Sequence, residues 1–144
     1  MKPLNLFRAD HARWDGVPPI NIYLLRLMFF LMIVFLGKES WTYILTHNGP
    51  WDPAVAMNWC IWGAYSVLAI LAFIHPVRML PMVLLEIFYK VLWLILVAYP
   101  LWRSKQLVGS PAEGMTDAFL WVVLPIVATP WPYVFRKYLT LKRG

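Results

Sequence analysis

Cysteine is nearly absent. Cys60 stands alone among 144 residues and lies in an apolar run, which excludes an internal disulfide and a cysteine-based metal site. Charge is scarce as well, at 14% of residues against about a quarter in soluble domains, while 61% of residues are hydrophobic. A chain this apolar reads as a membrane protein. Four stretches of about 20 residues would use roughly 80 positions, and the remainder goes to connections and tails, so no separate soluble domain fits. A long basic stripe is missing too. The formal charge of +6 comes from scattered singles and pairs, so no nucleic-acid partner is expected. Finally, no Ser or Cys is paired to a base, and there is neither a Gly-rich phosphate loop nor a helical HExxH arrangement. No catalytic residue is named on this ground, and an enzyme is not the leading reading.

What the chain does contain is four apolar runs, which predict an all-α polytopic protein with a four-helix transmembrane bundle as one domain over 1–144. The first span is expected from about Ile20 to Trp41, with Pro18 and Pro19 at its start and Lys38 and Glu39 near its end. It begins only at Ile20, carries Arg26 and lacks a small-residue cleavage site, so it reads as a retained helix. The second, Ala54 to Ile74, has no charge in 21 residues and follows the turn-forming THNGPWDP. HPVRMLP then reverses the chain into a third span, Leu80 to Trp102. The fourth, Ala118 to Phe135, holds Pro125, Pro130 and Pro132 and is expected to be kinked. No internal repeat is evident.

Positive charge near span ends resists translocation. One side collects Lys2, Arg8, Arg13, Arg78, Arg136, Lys137, Lys142 and Arg143, the other Lys38, Arg103 and Lys105; eight against three places both termini in the cytoplasm. Trp41, Trp51, Trp59 and Trp102 then anchor the outer interface, and Trp14 and Trp131 the inner one. In residues 1–15, Leu4, Phe7, His11 and Trp14 fall at helical spacing opposite Arg8, Asp10 and Asp15. Two readings stand side by side: a short helix on the membrane surface, or a frayed polar tail.

Three charges fall inside spans, where each costs about 2.5 to 3.5 kcal/mol without a partner. Arg26 is six residues into the first span and Glu86 six into the third, both about 9 Å from the same side at 1.5 Å per residue. Lys90 follows Glu86 by one turn, an i, i+4 pair in the favourable order. Their helix face also carries Met82, Tyr89, Trp93 and Val97. The second helix offers Asn58, Trp62, Tyr65 and Ser66, and the first adds Tyr23. These groups would line one polar pocket opening toward the cytoplasm. The bland alternative makes Arg26, Glu86 and Lys90 an internal ionic lock that fixes helix register. The functional alternatives begin from the excess of one positive charge. A neutral Lys90, an anionic headgroup, carboxylate or small metabolite in the pocket, or a proton relay through Glu86 and Lys90 would each balance it. Replacing Lys90 by Met discriminates: a better-folded, still active protein defeats lock and site together.

Weaker candidates have local explanations. His11, His47 and His75 lie on different segments, so no metal is expected, and all three read as interfacial. Asp52 and Asp117 resemble helix-start residues. Trp62 and Trp93 read as core rather than as a cofactor box. In ATPWPYVF, Pro130 and Pro132 leave carbonyls one turn earlier without donors, which either shapes a cytoplasmic exit or opens a polar mouth to the pocket.

The run LLRLMFFLMIVFLGK, with an early Arg and a terminal Gly-Lys, resembles the opening span of DoxX-like small four-helix membrane proteins. HPVRMLPMVLLEIFYKVLWL with PWPYVFRKY is similar to an uncharacterised group of bacterial inner-membrane proteins of like length. The first resemblance implies a four-helix bundle associated with redox or oxidative-stress membrane complexes; together they imply a bacterial inner-membrane location. The Glu86 and Lys90 pair lies outside the DoxX-like pattern.

Two function classes follow. In the first, the protein acts through assembly in the bilayer, as a homo-oligomer or an accessory subunit of a membrane complex. In the second, it is a transporter, channel or lipid-binding protein using Arg26, Glu86 and Lys90 for an anionic group or proton relay. A lipid- or quinone-active enzyme is third, with a bound lipid or quinone as the cofactor it would need. Four helices are too narrow to enclose a wide pore, so conduction would run between protomers.

Overall fold

In the computed structural model, described over residues 6–140, regular structure is helical apart from one isolated bridge between Asp10 and Val17. Three helices are long and apolar enough to cross a membrane: α1 (Pro19–Thr46), α2 (Pro53–Ile74) and α3 (Leu80–Arg103). A fourth crossing is present if α4 (Glu113–Ala128) and α5 (Trp131–Leu139), bent by 73° at their junction, are counted together. Large apolar side chains such as Phe35, Leu71, Phe88, Leu96 and Trp121 lie exposed on these helices, as lipid-facing positions require. The chain divides into two compact units, Met1–Met79 and Leu80–Gly144.

In the first unit α1 and α2 form an antiparallel hairpin packed through small residues. Gly63, Ser66, Ala69 and Ala72 recur every third residue of α2 and are buried, and Gly37 and Ser40 are buried on α1. A Cβ at Gly37 would lie 3.5 Å from Ser66 Cβ, and one at Gly63 would lie 3.1 Å from Ile44 Cδ1. Small side chains let helix backbones approach where lipid supplies no hydrophobic drive to associate. Trp41 Nε1 donates to Ser66 Oγ at 3.1 Å, and Ser66 Oγ donates to the Gly63 carbonyl at 2.7 Å. Around Met32–Leu36 the helix widens, with Gly37 N–H donating to the Met32 carbonyl, and the Ser40 hydroxyl takes the Leu36 carbonyl at 2.6 Å. Asp52 caps α2, its Oδ1 accepting from the N–H groups of Ala54 and Val55 at 3.0 and 2.9 Å.

Three local expectations need correction. The first helix runs beyond Trp41 to Thr46; at 1.5 Å per residue its 28 residues measure about 42 Å, longer than a hydrocarbon core of about 30 Å. Lys38, 19 residues along, falls about 29 Å from the start, so the last two turns extend past an apolar core. Of the two readings of residues 1–15, the surface helix is not what residues 6–15 form, which is a set of turns; Leu4 lies outside the described residues, as do Lys2, Lys142 and Arg143 of the charge count. Asp10 explains the turns. Its Oδ1 accepts from Ala12 and Arg13 N–H at 3.1 and 3.0 Å and its carbonyl from Trp14 and Gly16 N–H, while Asp15 and Gly16 take φ of 54° and 85°. Asx geometry followed by two positive φ values cannot continue a helix. Finally, α4 starts at Glu113, whose carboxylate accepts from Gly109 N–H at 2.7 Å, so Asp117 sits exposed inside the helix rather than at its start.

In the second unit α4 packs along α3. The turn Leu94–Ala98 of α3 is widened, Tyr99 N–H donating to the Leu94 carbonyl, just ahead of Pro100, which has no N–H for the Leu96 carbonyl. In α4 the approach to Pro125 tightens instead: Val122 N–H donates to the Phe119 carbonyl and Leu124 N–H to the Trp121 carbonyl, both three residues back. Between α4 and α5, Pro130 removes the donor due to the Ile126 carbonyl, and Trp131 Nε1 supplies one at 2.9 Å. Thr129 closes the end of α4, its N–H and hydroxyl both donating to the Pro125 carbonyl at 3.0 and 2.7 Å.

Candidate functional site

The helical repeat sets Glu86, Lys90 and Trp93 along one stripe of α3, with Tyr89 beside them. Lys90 Nζ donates to Glu86 Oε1 at 2.6 Å; the side chains are 15% and 3% exposed. The pair lies within one helix. It therefore cancels charge locally without tying α3 to a neighbour, which an ionic lock on register would need. Glu86 Oε2 is buried with no hydrogen-bond partner among the described residues. An ammonium carries three donors, and the Lys90 bond to Glu86 uses one of them. A buried acceptor and unused donors thus stand side by side.

Phe119 of α4 completes this group. Its ring meets those of Tyr89 and Trp93 edge to face, with centroids 5.7 and 5.0 Å apart, and the Lys90 ammonium lies 5.9 Å from its centroid. The negative face of an aromatic ring attracts a cation, and the edge-to-face contacts hold the Phe119 ring in place over Lys90. Phe119 was not singled out by sequence because one Phe in an apolar run carries no mark. Thr116, Phe119 and Val122 are buried at every third position, but the run AFLWVVL around Phe119 is apolar on every side, so its sequence has no period that marks this face.

The remaining sequence candidates lie in the first unit. Arg26 is half-buried, with its guanidinium 5.3 Å from the Trp14 ring centroid and its Nε buried without a hydrogen-bond partner among the described residues. Tyr23 and Asn58 are exposed, Tyr65 is buried, and Trp62 packs edge-on against Trp59 at 5.1 Å. Trp62 belongs to an aromatic cluster that periodicity does not reveal. Tyr43 stacks on Trp59 at 4.1 Å and His47 on Trp51 at 3.7 Å, with Tyr43 and Trp51 6.0 Å apart. The cluster gathers the overhanging end of α1 and the start of α2. Among the described residues no group of three His, Cys, Asp or Glu side chains is placed to hold a metal.

No protein-family model matches the chain, and no curated protein or solved structure matches it.

Proposed function

We propose that the chain crosses the membrane four times, α4 and α5 forming one proline-broken span, with both termini cytoplasmic, and that it acts through assembly as a homo-oligomer or an accessory subunit of a membrane complex. The observation that carries assembly is how little of each span the chain covers itself. Only 28%, 28% and 22% of the most apolar stretches of α1, α2 and α3 are buried, which leaves wide faces for lipid and for other subunits. Arg8, Arg13, Arg78, Arg136 and Lys137 against Lys38, Arg103 and Lys105 support the orientation.

Two measurements test this reading. Native mass spectrometry from lipid nanodiscs should show a defined oligomer or a co-purifying subunit; a lone monomer sinks assembly. In a Cys60→Ser background, a membrane-impermeant maleimide applied from outside should label Ser110→Cys and spare Arg13→Cys. The reverse pattern sinks the orientation.

One observation favours a second reading, in which the Glu86 and Lys90 pair is a binding site for a small amphiphile. A buried carboxylate oxygen without a donor inside an apolar span is costly unless something supplies one. Loss of bound lipid from a Glu86→Leu/Lys90→Leu variant, read by lipid mass spectrometry, is the expected result; an unchanged lipid profile defeats this reading.

A further inference from the structure

Three properties of the Glu86 and Lys90 pair restrict what would occupy it. The first is charge. Glu86 already neutralises Lys90 at 2.6 Å, so a net-charged headgroup would add an unbalanced charge inside the span. The second is hydrogen bonding. The orphaned atom, Glu86 Oε2, is an acceptor, so the occupant must offer a donor, while the unused N–H groups of Lys90 call for an acceptor beside it. The third is depth. Glu86 and Lys90 are six and ten residues into α3, about 9 and 15 Å from its start, so their heads lie inside the apolar stretch rather than at the helix end. Lys90 is the partly exposed member of the pair, at 15%, so an occupant enters from its side.

We propose that Glu86 and Lys90, flanked by Tyr89, Trp93 and Phe119, bind the uncharged head of an acylglycerol with a free hydroxyl, drawn from the bilayer interior. The hydroxyl donates to Glu86 Oε2 and the adjacent ester carbonyl accepts from Lys90 Nζ, so one small head satisfies both groups. The aromatic rings pack against the glycerol and first acyl carbons. This inference rests on the amphiphile-binding reading above and names its ligand class.

The test uses the full chain in phosphatidylcholine nanodiscs containing one of three photoreactive lipids with the same diazirine-bearing acyl chains. The third glycerol position carries a hydroxyl (diacylglycerol), an acetyl ester, or a phosphate (phosphatidic acid). Diacylglycerol should crosslink to the segments around Glu86 to Trp93 and Phe119, and acetyl capping should reduce that labelling about tenfold, the worth of one or two hydrogen bonds. Glu86→Leu/Lys90→Leu should reduce it likewise. Exchanging a buried pair for apolar side chains is ordinarily tolerated, and an unshifted elution volume on size exclusion verifies the fold. Equal labelling by the acetyl ester shows an apolar groove and overturns the proposal. Preferential labelling by phosphatidic acid also overturns it, while leaving the binding-site reading intact. If none of the three labels these segments although a headless alkyl diazirine labels α3, inference and binding site fail together.

Discussion

Trp131 Nε1 donates at 2.9 Å to the carbonyl of Ile126, the group that Pro130 leaves without its helical donor. A break between α4 and α5 is thereby repaired from the side by the residue next to the proline that causes it. In a bilayer this matters more than in water, since no solvent is at hand to cover a freed carbonyl.

Trp131→Phe keeps the ring and removes the donor, and is expected to lower stability by about 1 to 3 kcal/mol. In a Pro130→Ala background, where residue 130 regains an N–H, the same substitution should lose less. A double-mutant cycle on unfolding in mixed micelles measures the coupling; a coupling near zero contradicts the repair.

The α1 and α2 hairpin depends on close approach at Gly63. Gly63→Leu has to push against Ile44 and Trp41, and a loss of about 1 to 3 kcal/mol is expected from overpacking. Gly37→Ala meets Ser66 Cβ only at 3.5 Å, an ordinary contact, and should change stability little. The comparison is made by thermal melting in detergent, and equal shifts for the two would contradict the packing described.

Lys90→Met strands the carboxylate of Glu86. Removing one partner of a fully buried pair costs about 3 to 5 kcal/mol, and the lower end is expected because Lys90 keeps 15% exposure. Glu86→Leu/Lys90→Leu should recover most of the loss. Tryptophan fluorescence during detergent-induced unfolding follows both; a single variant as stable as the parent would show that the pair is dispensable to folding.

Two aspartates near helix starts separate by position. Asp52→Ala removes a cap that serves two N–H groups and should cost about 1 kcal/mol. Asp117→Ala acts at an exposed position inside α4 and should stay within about 0.5 kcal/mol. Thermal midpoints of the two variants decide, and a larger loss at Asp117 would restore it as a cap.

Whatever depends on one residue type, or on groups a turn or two apart, was legible in the chain itself. Apolar runs bounded by Pro18, Pro53 and HPVRMLP mark helices of membrane-spanning length, because hydrocarbon admits only backbones whose hydrogen bonds close locally. The four-residue spacing of Glu86 and Lys90 sets one above the other on any helix. Asp52 before Pro53 is a cap by its own chemistry. Helix ends were less legible. Thr46 extends α1 and Glu113 advances α4, because polar residues near a terminus are compatible with either helix or loop until their hydrogen bonds are known. Tertiary structure alone decided which side chains meet across distant segments. Trp41 reaches Ser66 across 25 residues, His47 stacks on Trp51 within a cluster completed by Trp59 of α2, and Phe119 covers Lys90. In a chain this rich in aromatics, periodicity states that a ring lies on a face. Only the packing of one helix on another settles whether that face meets a charge, another ring or lipid.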